Sequence, residues 1–81
     1  MPEVTFSNYY FEALDSIEIE NQKVGNIDMG ENITLYNICA GNYNISIITQ
    51  SGLKLKATFS LTGSNPVVRI TITETGKLIL E

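Results

Sequence analysis

Leu53-Lys54-Leu55-Lys56-Ala57-Thr58-Phe59-Ser60-Leu61-Thr62 alternates without a break: every odd position is apolar and every even position polar. Successive side chains of a β-strand point to opposite faces. A period of two therefore puts Leu53, Leu55, Ala57, Phe59 and Leu61 on a buried face and the polar set in water. Burying one Leu or Phe is worth roughly 1.5–3 kcal/mol, so the face is strongly specified. The fold is expected to be built around this strand.

Parity extends the reading in both directions. Downstream, Gly63-Ser64-Asn65-Pro66 is a turn cluster, followed by Val68, Ile70 and Ile72 at even positions. A hairpin with a four-residue loop pairs Leu61 with Val68, Phe59 with Ile70 and Ala57 with Ile72. A slip of one residue would bury Arg69 opposite Phe59. Pro66, without an amide hydrogen, suits the loop or a first strand position. Upstream, Tyr43, Ile45 and Ile47 pair with Phe59, Ala57 and Leu55 across a three-residue loop, Gln50-Ser51-Gly52. Gly52 then takes the left-handed position that such hairpins prefer. The expected result is a three-stranded meander with Ala57 and Phe59 at its centre.

Further strands are expected at Val4–Asn8, Ser16–Glu20, Val24–Asp28, Ile33–Ile38 and Lys77–Leu80, punctuated by Gly25, Gly30, Gly41 and Gly76. A Thr75-Gly76 loop sets Glu74 beside Lys77 and Ile72 beside Ile79. Tyr9 to Leu14 reads as one helical turn or a bulged strand. Elsewhere the period is two, and eleven Ile with Thr-rich segments favour a pleated surface. Seven or eight short strands at this spacing read as an antiparallel sandwich or a partly open barrel.

A chain of 81 residues has room for one core, so residues 1–81 form a single domain. Charged residues are only 17% of the chain and the net charge is −4. Residues 1–31 carry seven acids against the single base Lys23. No basic field is present to neutralise phosphates, so nucleic-acid binding is not expected. No apolar run approaches the roughly 18 residues of a membrane span. No leader-like segment opens the sequence, so a secreted form would carry one outside it. The closing Leu80-Glu81 matches a common cloning scar and is given little weight. One cysteine and no histidine leave no internal disulfide and no zinc-type ligand set, and no cofactor is expected.

The central region has a rhythm: Ile17-Glu18-Ile19-Glu20, Asn21-Gln22-Lys23-Val24-Gly25, Asp28-Met29-Gly30-Glu31, then Leu35-Tyr36-Asn37-Ile38-Cys39-Ala40-Gly41-Asn42-Tyr43. It resembles the PEGA-like and carboxypeptidase-regulatory-like (transthyretin-like) sandwich modules, in which a strand, two Gly turns and a leucine followed by Ala-Gly-x-Tyr lead into the next strand. The similarity covers about residues 17–62. Cys39 departs from it where such modules often have Pro. The resemblance implies an all-β, small antiparallel β-sandwich, Ig-like or transthyretin-like, serving as an extracytoplasmic accessory module. It supplies no shared site residues.

Candidate chemistry is sparse. Cys39 has no neighbouring base in sequence and reads as a small hydrophobe at a strand corner. Glu12, Asp15, Glu18 and Glu20 lack the Gly-containing oxygen-rich loop of a calcium site, and Glu18 and Glu20 read as one strand's wet face. Asn32-Ile33-Thr34 and Asn44-Ile45-Ser46 fit the glycosylation pattern, which nothing else in the sequence supports. No nucleophile, base and orienting group assemble, so the protein is not expected to be an enzyme.

Two surfaces are candidates for recognition. The wet face of the expected central hairpin carries Lys54, Lys56, Thr58, Arg69 and Thr71, a hydroxyl-rich surface suited to a glycan or protein. Tyr9 and Tyr10, with Phe11 and Tyr36, either close the core or mark an interface. The function expected is a non-catalytic binding or spacer module of a cell-surface or secreted assembly. The alternative is a stand-alone intracellular or phage-encoded inhibitor or immunity-type protein docking through its acidic third. Val67–Thr73 and Ile45–Thr49 are β-prone and nearly uncharged, so either would template an edge-strand dimer if left uncovered; the other expectation is a monomer.

Overall fold

The alternating stretch is a strand, Lys54–Leu61, paired upstream in the register that parity selects: Tyr43 faces Phe59, Ile45 faces Ala57 and Ile47 faces Leu55. The loop Gln50-Ser51-Gly52 closes between Thr49 and Leu53, with the Thr49 N–H donating to the Leu53 carbonyl at 2.9 Å. Gly52 has φ +97°, the left-handed conformation that this loop requires.

The structure is a computed structural model describing residues 2–36 and 38–81. In chain order the strands are β1 (Glu3–Asn8), β2 (Leu14–Ile19), β3 (Gln22–Ile27), β4 (Asn32–Tyr36), β5 (Gly41–Thr49), β6 (Lys54–Leu61), β7 (Val67–Ile72) and β8 (Leu78–Leu80). They form two four-stranded sheets, ordered β4-β1-β7-β8 and β3-β2-β5-β6. The architecture is an all-β sandwich-like arrangement, and no described segment is an apolar helix long enough to cross a membrane.

One hydrophobic cluster joins the sheets. Val4, Phe6, Val68, Ile70 and Ile72 come from one side, and Leu14, Ile17, Ile45, Ile47, Phe59 and Leu61 from the other. On every strand but β2 these residues sit at alternate positions, as a sheet with one covered face requires; on β2 a shift in register between Leu14 and Ile17 spaces them three apart. Tyr43 stacks on its cross-strand partner Phe59 with centroids 5.3 Å apart. The Tyr43 hydroxyl donates to the Cys39 carbonyl four residues upstream, a corner bond of the kind that pins strand entries in sandwiches.

Three expectations need correction. First, the expected hairpin between Leu53–Leu61 and Val68–Ile72 does not form. β6 and β7 lie in different sheets, and residues 62–66 carry the chain across the core. Val68, Ile70 and Ile72 do face the core, from the sheet opposite β6. There β7 runs parallel to β1, with Val4 beside Val68 and Phe6 beside Ile70. This one parallel pair departs from the expected all-antiparallel pairing, and nearly the whole domain serves as its crossover. β6 is therefore an edge strand, whereas the two segments that would template pairing if left uncovered are covered, Ile45–Thr49 within β5 and Val67–Ile72 in β7 both being interior.

Second, the last hairpin is shifted by one residue: Ile72 faces Leu78, not Ile79. Its loop is Glu74-Thr75-Gly76, with the Thr73 N–H donating to the Lys77 carbonyl at 2.8 Å and Gly76 at φ +83°. The left-handed glycine again selects a three-residue loop. Leu80 packs against the core, and Glu81 exchanges both backbone bonds with Arg69, so the closing residues belong to the ladder.

Third, residues 9–13 form a bent loop and neither a helical turn nor a strand. Cys39 is exposed and not a core hydrophobe, and Tyr36 is 66% exposed on the outer face of β4. The strand expected at Ile33–Ile38 ends at Tyr36; Asn37 lies outside the described residues.

Candidate binding surface

Strand directions alternate along the chain, so four connections gather at one end of the sandwich: 9–13, 28–31, 50–53 and 73–77. Asn8, only 1% exposed, ties the first two together. Its Nδ2 donates to the Glu12 carbonyl at 2.9 Å and to the Asp28 carbonyl at 3.3 Å, while its Oδ1 accepts from the Tyr10 N–H at 3.0 Å. Its backbone accepts from the Gly30 N–H at 2.9 Å and donates to the Glu31 carbonyl at 3.0 Å. An amide side chain suits this position because it supplies two donors and an acceptor to backbone that has lost its ladder partners.

The third connection is fastened by Glu12, whose carboxylate accepts from the Ser51 N–H at 3.1 Å and from the Ser51 hydroxyl. These bonds hold the Glu12 carboxyl below its usual range, the Ser51 hydroxyl contributing most. At the fourth, the half-buried Tyr10 ring packs against Gly76 and the core.

With the loop backbone so constrained, two flanking aromatics project outward. Tyr9 is 61% and Phe11 67% exposed, and Met29 on the neighbouring connection is 61% exposed. Together with Tyr10, Gly30 and Glu74 they line a shallow recess of about 370 Å³. Apolar side chains held out on a fixed backbone suit docking against another surface, because little conformational freedom remains to be lost.

The residues singled out from sequence fall on three separate surfaces. Tyr9 belongs to this loop end, and Tyr10 stands beside it as a supporting core residue. Lys54, Lys56 and Thr58 occupy the outer face of β6, while Arg69 and Thr71 occupy the outer face of β7 in the opposite sheet. The shared wet face expected for these five does not exist, because it depended on the β6–β7 hairpin. Met29 was missed; its one sequence signal is its place before Gly30 in a turn.

A second depression, about 580 Å³, lies on the outer face of β2, β5 and β6. Glu18, Ser46 and Lys56 form one row across it, and Glu20 closes one end. The Glu20 carboxylate is engaged there, accepting from the Asn44 N–H at 2.7 Å. Among the described residues, no three Asp, Glu or Cys side chains gather as a metal-ligating group. Comparison with protein families, curated proteins and solved structures finds no match to this chain.

Proposed function

We propose that this protein is a non-catalytic binding module that engages another protein through its aromatic loop end. The observation carrying this reading is the pairing of exposed Tyr9 and Phe11 with the buried Asn8 network beneath them. Large exposed aromatics, Phe11 braced against the Tyr10 ring with centroids 4.5 Å apart, on backbone fixed by five hydrogen bonds through one residue, make pre-organised anchors. The setting is the cell-surface or secreted assembly implied by the resemblance to transthyretin-like modules. Strand order differs from that of an Ig domain. Ig domains keep their first two strands in one sheet, whereas here β1 and β2 lie in different sheets.

The rival reading, an inhibitor docking through its acidic third, draws less support. Glu12 and Glu20, two of its seven acids, already accept hydrogen bonds from Ser51 and Asn44 of their own chain. A photo-crosslinking side chain at position 9 tests the proposal in the native host. The expected result is capture of one protein in stoichiometric yield, lost when Phe11→Ser is added to the probe-bearing chain. The same capture pattern from a probe at position 69, on the outer face of β7, would sink it.

A further inference from the structure

Each sheet ends in two edge strands: β4 and β8 in one, β3 and β6 in the other. Two of these edges are blunted: β8 has three residues, and β3 meets β2 through shifts in register, while β4 is regular but only five residues long. β6 has eight residues and an unbroken register along its whole pairing with β5. Long, regular edges are templates for further strand pairing unless something such as edge lysines obstructs them; β6 carries Lys54 and Lys56, so a partner strand must not set lysine against them.

Hydrogen-bond parity identifies which groups β6 leaves free. The Glu20 N–H bonds the Asn44 carbonyl on the β2 side of β5, and the Thr49 N–H bonds the Leu53 carbonyl on the β6 side. Even positions of β5 thus serve β2, and odd positions serve β6. On β6, Leu55, Ala57, Phe59 and Leu61 turn their backbone groups to β5. Lys54, Lys56, Thr58 and Ser60 turn theirs to the open edge, and all four residues are exposed.

We infer that this edge pairs with the β6 edge of a second copy of the chain, antiparallel, about a two-fold axis at Thr58. The side chains are self-complementary about that point. Thr58 faces Thr58 of the other copy, as Thr5 already faces Thr34 with hydroxyls 3.0 Å apart in the other sheet. Lys56 faces Ser60, and Lys54 faces Thr62. Both lysines lie before Thr58 and both facing hydroxyl residues after it, so no lysine opposes or sits diagonally beside another. On the inner face, Ala57 meets Phe59 and Leu55 meets Leu61. The half-buried Leu55 and Ala57 gain cover as two four-stranded sheets become one of eight. A parallel or in-step pairing would bring the lysines together, which is why the antiparallel two-fold is selected. A second copy presents this match by symmetry alone, which is why the occupant inferred is another copy.

Sedimentation of the whole chain from micromolar to millimolar concentration tests this. The expected result is a dimer whose association weakens at least about tenfold in Thr58→Lys at low salt, because that change sets lysine against lysine, and partly recovers at high salt. Thr71→Lys, the same change on the outer face of β7, should leave association untouched. Thr58→Pro removes an edge-facing N–H without taking a donor from the β5–β6 ladder, and should be folded by circular dichroism and a monomer by sedimentation. A single-chain mass throughout the range overturns the inference, as does a dimer indifferent to Thr58→Lys. Tyr9 and Phe11 are not on this edge, so Tyr9→Ser with Phe11→Ser should remain dimeric, and either proposal can fail alone.

Discussion

The Tyr10 ring occupies the space that a side chain at Gly76 would need: a methyl group there would lie 3.1 Å from Tyr10 Cε1 and 3.3 Å from Leu53 Cδ2. Gly76 also has φ +83°. Two causes therefore require glycine, and a second hairpin separates them. Gly52 closes a loop of the same length at φ +97°, with nothing within 4 Å of a methyl group. Gly52→Ala should cost about 1–2 kcal/mol, the left-handed penalty alone. Gly76→Ala should cost roughly 1 kcal/mol more as Tyr10 is displaced. Denaturant unfolding of both variants, repeated in a Tyr10→Ala background, checks the assignment. The excess at Gly76 should shrink once the ring is gone, leaving only the share that falls on Leu53.

Asn8 is the keystone of the loop end, and its chemistry makes two variants behave differently. Asn8→Ala leaves the Glu12 and Asp28 carbonyls and the Tyr10 N–H without partners, for a loss on the order of 3 kcal/mol. Asn8→Asp keeps the acceptor but turns an anion toward two carbonyl oxygens. Its carboxyl should therefore titrate above the ordinary carboxylate range, and stability should recover as the pH falls through that raised value. Thermal melts of Asn8→Asp between neutral and mildly acidic pH should rise where those of Asn8→Ala do not.

Glu12 predicts the opposite slope. Its folded-state carboxyl is held below the usual value of 4.5 by Ser51. The anion bonded to Ser51 therefore contributes stability above the unfolded value. That contribution fades as the pH falls from 4.5 through the lower folded-state value. Glu12→Gln should remove this part of the acid dependence, so the wild-type and variant melting temperatures converge toward low pH. Melts that stay parallel across that window would separate Glu12 from the acid response.

The sequence is most legible where structure is local. Alternation with Gly52 determines the β5–β6 hairpin down to each facing pair. The same parity identifies Val68, Ile70 and Ile72 as core residues yet misplaces their strand. An inward-facing residue looks the same whether its strand lies beside Phe59 or across the core from it. Choosing between those arrangements depends on β1, which takes β7 as a parallel neighbour and lies at the far end of the sequence. The loop end was half legible. Three adjacent aromatics stand out in the sequence, but which of them turns inward is set by Asn8 and Gly76, whose partners come from distant connections.

The β8 register gives the sharpest test of that lesson, because two adjacent residues exchange roles under the two alignments. With Ile72 facing Leu78, Leu78 and Leu80 pack on the core and Ile79 stands 48% exposed. A register with Ile72 facing Ile79 would instead bury Ile79 and turn Leu78 outward. Leu78→Ala should therefore cost about 2 kcal/mol, and Ile79→Ala less than about 1 kcal/mol. Both residues lie on a three-residue edge strand, so neither change should prevent folding, and equilibrium unfolding can be measured for each. If Ile79→Ala proves the more damaging, the hairpin closes through the two-residue loop Thr75-Gly76 instead.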